Sequence, residues 1–222
     1  HCGYLPLMAA VAGGADYVFT PEDPAGPGWQ DDLAEHLRLG REAGRRESIV
    51  LVAEGAHDRD GNELSTQLVA DTIEERTGED ARVTILGHVQ RGGTPSAYDR
   101  WMSTLLGYAA VQEILASTGE DEPVILGVRR NRITRVPLMK AVHDTRAVKD
   151  LIAAGDYAAA QASRGSSFSS MVGIYHLLST PPQLIPEPTG DIKRVAILHA
   201  GGLAPGMNTA ARVAVRLGIA RG

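Results

Sequence analysis

An α/β protein, with a mostly parallel sheet covered by helices on both faces, is what this sequence predicts. Three observations predict it. Strand-like and helix-like stretches alternate over the first two thirds of the chain. Several strand-like runs, such as "SIVLVAEGA" and "PVILGV", are continuously apolar, as strands buried on both faces are. Clusters of polar residues and glycines fall where those runs end, and ligands of doubly wound sheets sit beyond the carboxyl ends of the strands.

In chain order, residues Cys2 to Ala12 read as a helix ending at Gly13-Gly14, and "ADYVFTPE" is a short strand stopped by Pro21. "WQDDLAEHLRLGREAGRR" pairs Leu33 with Leu37 at i, i+4 and puts Asp31 and Asp32 in the first turn, where they suit the helix dipole. "SIVLVAEGA" follows as a strand. "LSTQLVADTIEERTG" is amphipathic through Leu64, Leu68, Val69, Thr72 and Ile73, with Gly78 as its stop. "RVTILG", Arg82 to Gly87, is the next strand. A long helix from Ser96 to Ser117 carries Trp101, Leu105, Tyr108 and Leu115 on one stripe. "PVILGV" is the strand after it.

Near Lys140 the character changes. The stretch "AVHDTRAVKDLIAAGDYAAAQASRGSSFSSMVGIYHLL" is helical throughout, and "STPPQLIPEPTGD" has four prolines and reads as a linker. "RVAILHAGG" is again a strand entering a glycine turn, and "PGMNTAARVAVRLGIARG" is a helix. The division predicted is residues 1–139 for a first α/β portion, 140–190 for a helical connector with its Pro-rich linker, and 191–222 for the first β-α unit of a second, similar domain.

Composition narrows the function. With 43% hydrophobic and 22% charged residues among 222, the chain has the apolar content for a sizeable core. A net charge of −5 with no basic stripe argues against a nucleic-acid partner. No apolar run reaches the roughly 20 residues that span a bilayer, so no membrane partner is expected. The single Cys2 leaves no intrachain disulfide or cysteine metal cluster, which fits a reducing, cytoplasmic setting. The first residue is His1, and "HCGYLPLMAAVAGG" starts directly on helix-like sequence. The expectation is a piece of a longer chain.

Three places carry candidate chemistry. His88, Gln90 and Arg91 follow "VTILG" and precede Gly92 and Gly93. A guanidinium offers a fork of donors matched to phosphate or carboxylate oxygens, and a neighbouring imidazole adds another donor. The glycines let backbone amides approach the same anion. A lone Arg or His there would be a solvated turn; the cluster favours an anion site. Glu54 closes "IVLVAE", where it would accept hydrogen bonds from sugar hydroxyls, cap the next segment or ligate a metal through water, and the residues leave these open. Gly201 and Gly202, in "HAGGLAPGMN", form a strand–turn–helix junction, the kind of helix start that binds phosphate, or they serve only to turn the chain. The basic run "GVRRNRITR" reads as a solvated face, with an anion pocket left open.

With these residues in hand, "GHVQRGGTPSAYDR" resembles the signature of the 6-phosphofructokinases. "HCGYLPLMAAVAGGADYVFTPE", "VAEG", "ITRVPLMKAV", "RGSSFSSMVGIYHLL" and "VAILHAGGLAPGMNTAARVAVR" extend the likeness over nearly the whole chain. The helical segment and linker are similar to those that join the tandem halves of the duplicated, eukaryotic-type enzymes. The resemblance implies a phosphofructokinase-like fold and phosphoryl transfer from ATP to fructose 6-phosphate, a step of glycolysis catalysed by allosteric enzymes. His88 and Arg91 would then bind the sugar phosphate and Glu54 a sugar hydroxyl. Arg82 would be the arginine that reaches across an interface into a neighbouring subunit's or half's site. A strand of six residues from Arg82 to His88 spans about 20 Å at roughly 3.3 Å per residue, so its two ends serve different sites. The bland alternative for Arg82 is a surface arginine at a strand start.

By the same resemblance the catalytic aspartate and the ligands of the Mg²⁺ that accompanies ATP are expected before His1, which leaves no catalytic or metal residue in this chain and predicts that it is inactive alone. Catalytic halves have an aspartate where Leu203 stands, so the second half reads as regulatory and a nucleotide role for Gly201 and Gly202 is in doubt. The partners implied are fructose 6-phosphate, ATP and further copies of the chain, with substrate sites shared across an interface. Two other readings fit the same residues: a pyrophosphate-dependent relative, and a sugar-phosphate-binding regulatory module without catalysis. The joint presence of His88, Arg91 and Glu54 speaks against the second.

Overall fold

The structure is a computed structural model that describes residues 2–129, 131–185 and 194–221. In chain order its elements begin α1 (Tyr4–Gly13), β1 (Tyr17–Phe19), α2 (Trp29–Glu42), β2 (Val50–Val52) and α3 (Thr66–Thr77). They continue α4 (Ala97–Ala116), β3 (Val124–Arg129), β4 (Arg132–Pro137), α5 (Leu138–Ala153), α6 (Tyr157–Ser163), α7 (Ser166–Ser179) and α8 (Met207–Arg221). The chain divides into two compact units, residues 1–83 with 155–222, and residues 84–154.

The first unit is built on β1 and β2, which pair in parallel with Tyr17 opposite Val50, Val18 opposite Leu51 and Phe19 opposite Val52. Side chains alternate across a strand, and the two cores follow that alternation. Tyr17, Phe19, Val50 and Val52 join Trp29, Leu33 and Leu37 of α2 and Val69 and Ile73 of α3 on one face. Val18 and Leu51 join Leu7 and Ala10 of α1 and Phe168 and Tyr175 of α7 on the other. Helices therefore cover both faces of this pair, as the continuous apolar runs predicted. The Tyr175 hydroxyl also donates to the Asp16 carbonyl at 3.3 Å, fastening α7 to the start of β1.

Local signals explain the helix ends. The Ser65 hydroxyl accepts the Leu68 amide at 3.1 Å at the start of α3, and Gly78 closes it in the left-handed region at φ 72°. On α3 the burial falls on Val69, Ala70 and Thr72; Leu68, predicted to share that stripe, is 43% exposed. The predicted connector is helical over α5, α6 and α7. The end of the Pro-rich stretch, residues 186–191, lies outside the described residues.

In the second unit, β3 and β4 form an antiparallel hairpin, with Val124 opposite Pro137 and Arg129 opposite Arg132. This corrects one expectation: "PVILGV" is not fully buried but half-exposed. The basic run "GVRRNRITR" gives its first three residues to β3 and its last four to β4, and Arg129, Arg132 and Arg135 on it are exposed, as a solvated face requires. Asn131 supplies the left-handed φ of 60° before β4, a conformation Asn tolerates better than most residues.

Two predicted strands are not strands here. Residues 82–86 and 194–200 carry no ladder pairing among the described residues, with Ile85 80% and Leu198 91% exposed. An apolar run becomes a strand only when a neighbour satisfies its amides and carbonyls; among the described residues neither run has that neighbour.

Candidate functional site

The carboxyl ends of β1 and β2 lie side by side, and the hydrogen bonds that continue past them shape the turn carrying Glu54. The Ala53 amide donates to the Phe19 carbonyl at 2.9 Å, and the Ala56 amide closes a turn onto the Ala53 carbonyl at 3.1 Å. Gly55 takes a φ of 83° inside that turn, which places the exposed Glu54 at the mouth of the strand pair. Beyond it, the Arg59 amide donates to the Ala25 carbonyl at 2.9 Å, so the loops after β1 and β2 are tied together. The Asp58 carboxylate stabilises this second loop by accepting the Asn62 side-chain amide at 2.9 Å and the Asn62 and Asp60 backbone amides at 2.9 and 3.0 Å. Those bonds hold its carboxyl below the usual range, the Asn62 side chain contributing most.

The loop after β1 contains a feature the sequence did not reveal. Glu22 is completely buried. Its partners are the Gly3 amide, 2.9 Å from Oε2, and the Arg164 guanidinium, whose Nε lies 2.9 Å from Oε1. These partners lie 19 and 142 residues away, so no local pattern marks the residue.

In the second unit, residues Gly87–Arg91 form a 3-10 turn. Gly87 enters it at φ 51°, the Val89 amide bonds the Leu86 carbonyl at 3.1 Å, and the Gly92 amide bonds the Val89 carbonyl at 3.0 Å. Side chains at i and i+3 of a 3-10 helix eclipse one another. His88 and Arg91 are therefore on one side of the turn, and both are exposed. Gly93, at φ 97°, redirects the chain to Ser96, which caps α4. The Asp99 amide donates to the Ser96 hydroxyl at 3.2 Å, and the Ser96 amide donates back to the Asp99 carboxylate at 2.7 Å. This capping box fixes the glycine loop against a rigid helix start, and the Ser96 bonds hold the Asp99 carboxyl below the usual range.

Arg82 is exposed near the end of the first unit's first segment, after the Ala81 amide bonds the Glu74 carboxylate at 3.0 Å. Gly201, at φ 94°, and Gly202 lie in an exposed turn before α8. Arg216 of α8 donates to the Leu177 carbonyl at 2.9 Å and to the Thr180 carbonyl, covering the C-terminal end of α7. The structure thus pairs His88 with Arg91, sets Glu54 at a strand mouth, and leaves Gly201 and Gly202 in a turn of their own. Among the described residues, no group of three or more His, Cys, Asp or Glu side chains is placed to hold a metal ion, and no helix is long and apolar enough to cross a membrane. A cavity of about 320 Å³ borders Tyr17, Asp23, His36, Arg59, His176 and Thr180, and contains none of the predicted residues.

Residues 1–114 match the family model described as Phosphofructokinase. The chain belongs to the phosphofructokinase family. Aligned over its full length, it is 44% identical to an ATP-dependent 6-phosphofructokinase of Aspergillus fumigatus and 42% identical to the human liver-type ATP-dependent 6-phosphofructokinase, spanning 28% of each. Among solved structures, the phosphofructokinase of Saccharomyces cerevisiae matches the whole chain with a TM-score of 0.91 at 38% identity, over 30% of that chain. The T-state enzyme of Pichia pastoris matches it with a TM-score of 0.83 at 36% identity, over 24% of that chain. The chain spans less than a third of each of these phosphofructokinases, and it has their fold.

Proposed function

We propose that this chain supplies the sugar-phosphate-binding part of an ATP-dependent 6-phosphofructokinase, which transfers a phosphoryl group from ATP to the 1-hydroxyl of fructose 6-phosphate in glycolysis. The observation that carries this reading is the eclipsed pair of His88 and Arg91, on a 3-10 turn held between a left-handed glycine and a capped helix. A guanidinium and an imidazole facing one way are suited to charge-assisted hydrogen bonds with a phosphate. Glu54 would accept a bond from a sugar hydroxyl. Anchoring the remote 6-phosphate holds the 1-hydroxyl in line with the donor, and positioning is most of what phosphoryl transfer asks of a protein.

By the family resemblance, the base, the Mg²⁺ ligands and the donor loop are assigned to parts of the protein outside this chain, and Leu203 stands where that resemblance places an aspartate. In this reading residues 1–139 belong to the catalytic half, 140–190 to the connector, and 191–222 to the start of a second, regulatory half. Arg82 serves a site across an interface in a homo-oligomer, Gly201 and Gly202 are candidate phosphate contacts of the second half, and the protein is cytoplasmic. The Aspergillus fumigatus and human relatives are ATP-dependent enzymes, which favours ATP over pyrophosphate as the donor.

The test is calorimetric titration of fructose 6-phosphate into the full-length protein carrying this chain, with and without His88→Ala. The reading predicts weaker binding in the variant. Unchanged binding would remove His88 from the site.

A further inference from the structure

We propose that Glu22 and Arg164 form a latch through which the connector helices position the turn carrying Glu54. The proposal rests on the reading of Glu54 as a contact to the sugar. A carboxylate with no exposure to water persists only where its oxygens are matched by donors, and every partner of Glu22 comes from a different part of the chain. Gly3, the residue before α1, gives its amide to Oε2 at 2.9 Å. Arg164, at the end of α6, gives Nε to Oε1 at 2.9 Å and brings Nη2 to 2.8 Å of it. Gln161 of α6 donates its side-chain amide to the Glu22 carbonyl at 2.9 Å. The connector therefore grips both the side chain and the backbone of the loop after β1.

That loop is in turn bonded to the one that carries Glu54. The Phe19 carbonyl accepts the Ala53 amide, and the Ala25 carbonyl accepts the Arg59 amide, both at 2.9 Å. Ala25 and Asp58 also form an isolated bridge. A continuous chain of bonds thus runs from Arg164 through Glu22 and the loop after β1 to the residues flanking Glu54. An exposed ion pair would transmit little, because water replaces its partners at small cost. A buried one has no such substitute, so loss of Arg164 forces the loop to move. Arg164 is then a positioning residue for the sugar site.

The experiment uses steady-state kinetics of the full-length protein with Arg164→Met, Arg164→Lys and Glu54→Ala. The proposal predicts a KM for fructose 6-phosphate raised about tenfold by Arg164→Met, since small misplacements of a binding group reach about a hundredfold in effect. The KM for ATP should hold, and Arg164→Lys should restore part of the loss. A purely structural pair would reduce the amount of active protein, lowering apparent kcat and melting temperature while leaving that KM in place. That result, obtained where Glu54→Ala does raise the KM, overturns the latch. An unchanged KM in Glu54→Ala overturns the reading of Glu54, and the latch with it. Should Arg164→Met fail to fold, Gln161→Leu removes one donor to the same loop: a raised sugar-phosphate KM supports the latch, and a normal one overturns it.

Discussion

Gly3 and Glu22 are fitted to each other. The Gly3 amide lies 2.9 Å from Glu22 Oε2, and a Cβ at residue 3 would stand 2.4 Å from that oxygen and 2.6 Å from the Thr20 Cβ. The loop after β1 is thus packed against the start of α1 with no room for a side chain. Gly3→Ala should force that loop and the helix start apart and destabilise the protein by about 1–3 kcal/mol, the usual cost of overpacking. The check is the urea midpoint of the variant. An unchanged midpoint would show that the loop relaxes freely around residue 3.

His36 gives a pH dependence whose direction is fixed by its surroundings. It packs edge-to-face on Tyr17, with ring centroids 5.4 Å apart, and its Nε2 is buried without a hydrogen-bond partner among the described residues. Burial lowers its pKa from the ordinary value of 6.5, and the Ser179 backbone offsets only part of this. As pH falls below about 6.5 the unfolded chain takes up this proton first, so stability declines from there toward the folded-state pKa. Melting temperatures measured between about pH 7.5 and 5.5 should fall more steeply for the wild type than for His36→Gln. Parallel slopes would mean that His36 titrates alike in both states.

How far the sequence could be read depended on the range of the interactions involved. The core of the first unit was legible because "YVF" and "IVLV" alternate between two helical layers, and Leu33, Leu37 and Val69 fall at helical spacing. The hairpin β3–β4 was not: "VILGV" resembles a buried parallel strand, and the exposed arginines around Asn131 carry no sign that the segment pairs with it. The usable signal was Asn131, a residue tolerant of left-handed backbone between two apolar runs. The strand character of residues 82–86 was read from apolar content alone, whereas pairing depends on a neighbour that no local pattern reveals. Of the candidate residues, Glu54 stands at a strand mouth, as its position after an apolar run suggested, whereas His88 and Arg91 follow a run that forms no strand and were singled out by residue type and the glycines after them. The 3-10 turn that eclipses His88 with Arg91 was not legible, nor was the burial of Glu22, because its partners are remote in sequence.

The central claim is that the turn from Gly87 to Gly93 holds the phosphate of the sugar through Arg91. It is tested most directly by the two Michaelis constants of the full-length protein carrying Arg91→Ala. The account predicts a strong rise in the KM for fructose 6-phosphate, because the guanidinium's charge-assisted bonds to the phosphate are lost, with the KM for ATP little changed. Equal increases in both constants, or no increase in the first, would contradict it.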